Sequence, residues 1–206
     1  MSGHAQGRSP TRSPQYRRQP VGFDFTAHMR RLCQDIVTCT SQLAHIDLGC
    51  VAVSFAQSRK RTSHGLHASL TPMRFEAGSL TCLRHGRKYT VQRLYDQGGR
   101  EYLYILTFYM PRFMDLSFRD KLITVFHELW HVSPDFDGDL RRHDGRCYAH
   151  THSQKHYDEE MDRLAQQWLA GSPTRHLYEF LECTFSELHT RHGRIFGAKI
   201  PRPKLV

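Results

Sequence analysis

The run Phe126-His127-Glu128-Leu129-Trp130-His131 constrains this chain more than any other feature. On an α-helix two imidazoles four residues apart project from one face and can grip a single metal ion. The neighbouring residues supply such a helix. Leu122, Val125, Phe126, Leu129 and Trp130 make a broad apolar face. Ser117-Phe118-Arg119-Asp120 resembles a capping box, and Ser133-Pro134 stops the run. The pattern predicts a helix over 118–132. Glu128 adjoins the first imidazole, where a carboxylate can take a proton from metal-activated water and pass it to a leaving amine. A five-residue motif with three fixed positions also arises by chance, as a surface helix with two hydrogen-bonded histidines. The capped helix and the His- and Asp-rich loop after it favour zinc.

A catalytic zinc ordinarily takes three protein ligands and keeps one position open. Four downstream residues are candidates for the third. His152 ranks first, because it sits just before Ser153, the expected cap of the next helix. His150, His143 and Asp137 follow in that order. Asp137 lies six residues after His131, where some metallopeptidases place a ligand. Their pattern needs Gly three residues after the second His, and here Pro134 stands. Plain solvation also produces a loop rich in Asp and His. Tyr157 and Arg142 are weaker candidates, as oxyanion donors; core packing and pairing with loop carboxylates are the plainer readings. Trp130 reads as core, with the floor of a substrate pocket as its alternative. Asp135, Asp137 and Asp139 alternate but lack the spacing and final Glu of a calcium loop.

Before the motif, apolar residues from Phe25 to Ile46 recur at three- and four-residue steps behind Asp24, predicting a helix over 24–46. Val51, Val53 and Phe55 alternate as a strand, as do Leu66, Ala68 and Leu70; Leu80 and Cys82 begin a weaker one. Segments 89–95 and 101–110 read as a hairpin about Gly98-Gly99, with 102–110 apolar on both faces and so either well inside the sheet or lining a cleft. After the motif come helices over 153–170 and 175–190, the second on aligned Leu177, Phe180, Leu181, Thr184, Phe185 and Leu188. This order is α+β: a small mixed or antiparallel sheet packed on helices. Residues 1–22 read as a disordered basic arm, 23–198 as the domain and 199–206 as an extended tail.

Hydrophobic residues make up 39% of the 206, enough for a real core, and no apolar run approaches the ~18 residues of a membrane span. The Arg-rich N-terminus has no apolar stretch for a secretory signal, so a cytoplasmic protein is expected. The six cysteines are scattered, with no Cys-x-x-Cys pair, which argues against a zinc ribbon and a disulfide framework. The formal charge is +9, a balance that suits acidic partners or solubility alone.

Together, Phe126 to His131, Asp137-Gly138-Asp139-Leu140-Arg141-Arg142 and Tyr148-Ala149-His150-Thr151-His152-Ser153 resemble the phage-type metallopeptidases, which are similar to SprT-like zincins. The likeness spans roughly residues 51–170. It implies a zincin-like fold and bound zinc, with His152 at the third-ligand position and Ser153 where Gly is usual. The leading expectation is a zinc metallopeptidase acting on protein or peptide, with Glu128 as general base. A second is a DNA-associated factor acting on DNA-bound proteins, supported by Arg8, Arg12, Arg17 and Arg18 of the arm and by Arg59-Lys60-Arg61, Arg84, Arg87 and Lys88. A third is a non-catalytic metal-binding protein, which the intact Glu128 disfavours.

Overall fold

The computed structural model describes residues 21–57, 65–142 and 154–206, with the side chains of 154–156 outside the description. Most of the basic arm, Arg59-Lys60-Arg61, His143, His150, His152 and Ser153 therefore lie outside the described residues.

A short strand β1 (Phe23–Asp24) leads into helix α1 (Phe25–Cys39), whose first turn is capped by Asp24 accepting from the Ala27 N–H at 3.0 Å. The helix ends seven residues before the expected Ile46. Thr40 turns extended, and a 3-10 turn at Ser41–Leu43 follows. Strands β2 (Val51–Gln57), β3 (Ala68–Pro72) and β6 (Tyr104–Met110) form a mixed sheet in the order β2-β6-β3. β2 runs parallel to β6 and β3 antiparallel to it. The twice-apolar β6 is central, one of the two places its sequence allows. Alternation assigns its two faces. Leu106, Phe108 and Met110 join Val51, Val53 and Phe55 in the main core with the helices. Ile105 and Ala52 face a smaller cluster that includes Met73 and Val91.

The hairpin expected between 89–95 and 101–110 is corrected. Strands β4 (Thr81–Arg84) and β5 (Arg87–Thr90) pair with each other instead, about a two-residue turn at His85-Gly86. Gly98-Gly99 does make a turn, held by Asp96 accepting from the Gly98 and Arg100 N–H groups at 2.8 Å. Only the single bridge Tyr95–Glu101 flanks it.

Helix α2 (Phe118–Trp130) follows β6, and α3 (Gln154–Ala170) packs on α2. The single helix expected over 175–190 is also corrected. It is two 3-10 turns, Arg175–Leu177 and Glu179–Glu182, then helix α4 (Phe185–His192). Thr184 and Glu187 form a complete capping box that starts α4 afresh. The buried Lys121 ammonium holds the Leu181 and Cys183 carbonyls at 2.9 and 2.7 Å. Strand β7 (Ile195–Phe196) pairs with β1. The end of the chain then runs extended past β2 and β5, with Phe55 N–H donating to Ala198 and Thr90 N–H to Val206, each at 2.7 Å. Among the described residues, no helix is long and apolar enough to cross a membrane.

Candidate active site

Helix α2 is fixed at both ends. Ser117 Oγ accepts from the Asp120 N–H at 3.1 Å at its start. His131 occupies the C-cap position, still in helical conformation. Leu122, Val125, Phe126 and Leu129 bury one face of the helix. The other borders a cleft of about 750 Å³ whose far wall is β3. Leu66, Leu70, Leu116, Ile123 and Leu140 give the cleft apolar walls. Asp120 and Asp158 add carboxylates, and His127, Glu128 and His131 line it together.

The two histidines converge as their spacing requires. Their Nε2 atoms are 3.0 Å apart, with the rings nearly perpendicular at 80°. Two nitrogens each bonded to one zinc at ~2.0–2.1 Å would lie roughly 3.3–3.4 Å apart at the tetrahedral angle and about 3.0 Å apart at an angle of ~95°. The pair fits that ion. The loop after α2 anchors the second histidine: Arg141 N–H donates to the His131 carbonyl at 2.8 Å, and Arg141 Nε to the Trp130 carbonyl at 2.7 Å. The Arg141 guanidinium lies 4.3 Å over the Trp130 ring, so this half-buried tryptophan is a platform for the arginine.

Glu128 retains only 9% of its exposure. Burial pushes its carboxyl up to about 7, opposed by a hydrogen bond from the Leu70 backbone. The carboxylate thus faces β3 across the cleft. His67 and Met73 are bonded to Tyr109 and Leu103 across the ladder, at 2.9 and 3.0 Å. In that phase Ser69 and Thr71 also face β6, and Ala68 and Leu70 turn their backbone groups outward. Among the described residues no strand pairs with this edge of β3.

Helix α3 brings two neighbours that the motif does not announce. Asp158 Oδ1 lies 4.0 Å from Nδ1 of His127, the ring nitrogen that faces away from His131. The Tyr157 ring stands edge-on to His127 at 5.0 Å and stacks on His131 at 6.0 Å. Its hydroxyl is buried with no hydrogen-bond partner among the described residues, and burial raises its pKa. Tyr157 thus packs against the histidines, while Arg142 takes the plainer of its two readings. It donates to Asp139 at 2.9 Å and approaches Glu76 at 3.6 Å. Asp137 Oδ1 accepts from the Asp139 N–H at 3.0 Å, inside its own loop. Among the described residues, no three His, Cys, Asp or Glu side chains gather as a metal site. Asp137 is therefore not brought to the histidine pair, and the loop aspartates form no calcium site. His143, His150 and His152 fall outside the described residues.

The described site is thus a capped helix with two converging imidazoles and a buried carboxylate, facing a strand edge that no other described strand pairs with. Residues 26–168 match the family described as "Putative phage metallopeptidase", and the chain belongs to that family. No curated protein and no solved structure gives a significant match.

Proposed function

We propose that the protein is a zinc metallopeptidase with a zincin-like fold. The observation that carries this is the 3.0 Å convergence of His127 and His131 beside Glu128, on the floor of a cleft walled by an open strand edge. His127 and His131 would hold the ion, with His152 as third ligand, or His150 two residues earlier. Bound there, zinc would polarise the scissile carbonyl and acidify a water.

The chain's own groups do the rest. The outward backbone groups of Ala68 and the outward carbonyl of Leu70 take up an extended peptide as an added strand. The apolar walls exclude bulk water. Burial raises the Glu128 carboxyl above the usual carboxylate range, which suits a group that must both take up and release a proton. Glu128 takes the proton from the attacking water and delivers it to the leaving amine.

Glu128→Gln tests this reading, because it keeps the shape and removes the base. The variant folds, binds zinc like the parent, and loses roughly 10²–10⁴-fold in casein turnover. Equal turnover by the two proteins, each with its zinc content measured, removes Glu128 from the mechanism. Absence of zinc uptake by the parent removes the proposal.

A further inference from the structure

Two stretches of this chain hold cations and no acid. None of the 20 Asp and Glu residues lies between Ala77 and Tyr95 or after Glu187. The first stretch carries Arg84, Arg87, Lys88 and Arg93; the second carries Arg191, Arg194, Lys199, Arg202 and Lys204. The fold lays one against the other. β4 and β5 pair along one edge of β5. Along its other edge the end of the chain runs antiparallel: Thr90 and Val206 exchange backbone bonds at 2.7 and 3.0 Å, and Gln92 N–H donates to Lys204 at 3.0 Å. The product is a three-stranded ribbon.

Arg84, Arg87, Lys88, Arg202 and Lys204 are all exposed on this ribbon or its approach. Among the described residues none of the five pairs with a carboxylate, whereas Arg74, Arg93, Arg119, Arg163 and Arg175 all do. Arg84 and Arg87 stand directly opposite each other in the β4–β5 register. Like charges as cross-strand partners destabilise a hairpin. Solubility is served equally well by dispersed charge and does not call for this pairing. An external polyanion offsets it.

The shape of the ribbon narrows the choice of polyanion. His85 and Gly86 both have positive φ, 50° and 73°, which makes the tight primed turn of a narrow hairpin. The end of the chain pairs only at Thr90 to Gln92, so toward the turn the ribbon is two-stranded, and a two-stranded ribbon enters the major groove of B-DNA, ~12 Å wide. An anionic membrane would call for a continuous apolar face to insert; the ribbon's exposed apolar side chains are Leu83 near the turn and Leu205 and Val206 at the opposite end, with Arg87 and Lys88 between them. We infer that the β4–β5 ribbon, joined by Arg202 and Lys204, docks on the phosphate backbone of duplex DNA. This surface does not depend on the peptidase reading.

The experiment is fluorescence anisotropy of the full chain on a labelled duplex of about 20 bp, between about 50 and 200 mM salt. The parent binds, and log K falls linearly with log salt. The triple variant R84Q/R87Q/K88Q binds more weakly, with a slope smaller by about 0.9 per lost contact, or about 2.7 for three. R202Q/K204Q shifts in the same direction, and R163Q, on a helix elsewhere, leaves binding unchanged. Thermal melts by circular dichroism confirm that each variant is folded. Parental affinity and slope in both ribbon variants overturn the inference. So does binding of phosphatidylserine vesicles or an acidic peptide as tightly as duplex DNA. So does complete loss of DNA binding on deleting residues 1–22 with the ribbon intact.

Discussion

Asp158 faces the outer nitrogen of His127 from a neighbouring helix, at 4.0 Å and with about half its side chain exposed. A histidine that gives one nitrogen to a metal commonly donates the other N–H to a carboxylate, which fixes the tautomer and the ring's orientation. Removing such a partner typically lowers metal affinity 10–100-fold. Asp158→Ala should therefore weaken zinc binding by roughly that factor in a chelator competition, with thermal stability little changed. Asp158→Asn, which keeps an acceptor, should recover part of the loss. Parental zinc affinity in Asp158→Ala would reduce the residue to a solvated carboxylate on the cleft rim. The contrast with His127 and His131 explains what was legible. Their pairing is local, set by four residues on one helix, so the motif displays it. Asp158 reaches the same point only because α3 packs on α2, and nothing in its own neighbourhood marks it; Tyr157 was a candidate from its place in the sequence, but its packing on both histidine rings depends on the same contact. Glu128 was legible as a candidate base, but its burial beside Leu70 was not, since that contact depends on where β3 lies.

Lys121 shows how one element can be shaped by another. It is almost completely buried, at 1% exposure, and burial lowers its pKa. Its ammonium holds two carbonyls of the segment before α4. Lys121→Met keeps much of the stem and removes the donors. Each orphaned buried acceptor costs ~1–3 kcal/mol, so a loss of about 2–4 kcal/mol is expected in urea unfolding. A loss under ~0.5 kcal/mol would mean that those carbonyls find other partners. This contact also explains why 175–190 reads as one helix and folds as three pieces. The apolar spacing across the segment is helical throughout. Two of its carbonyls serve Lys121, and Thr184-x-x-Glu187 opens a new helix. The Thr-Glu signal was present in the sequence but was outweighed by the apolar periodicity. The misplaced hairpin has a similar origin. His85-Gly86 and Gly98-Gly99 are both competent turns, and local chemistry does not say which pair of flanks will zip.

At the scale of the whole molecule, the α+β class and the central position of β6 followed from pattern. The parallel β2–β6 pairing and the docking of the chain's end did not, because both join segments far apart in sequence. The same long-range wiring makes one carboxylate matter to the acid stability of the whole. Glu101 accepts from Arg93 Nε at 2.8 Å and from Arg74 Nη2 at 2.7 Å. The Arg74 backbone N–H in turn holds the Gly138 carbonyl at 3.0 Å, and the loop containing Gly138 holds His131 through Arg141. The Arg93 and Arg74 guanidiniums draw the Glu101 carboxyl down to about 2, from an ordinary 4.5. A carboxyl lowered by folding stabilises the fold fully above its unfolded pKa. That stabilisation should be complete above about pH 4.5 and should fade as the pH falls toward 2. The full shift would correspond to ~3 kcal/mol. Screening by solvent at the half-exposed Arg93 reduces the expectation to about 1–2 kcal/mol. Glu101→Gln should thus cost about 1–2 kcal/mol in urea unfolding at pH 7. The gap between variant and parent should narrow below pH 4.5, fall to roughly a quarter of its full size by about pH 2.5, and close only below about pH 2, as the parent's own carboxyl becomes protonated. A gap of constant size across that range would show that the loss comes from packing, and that the ion pairs of Glu101 contribute nothing to acid stability.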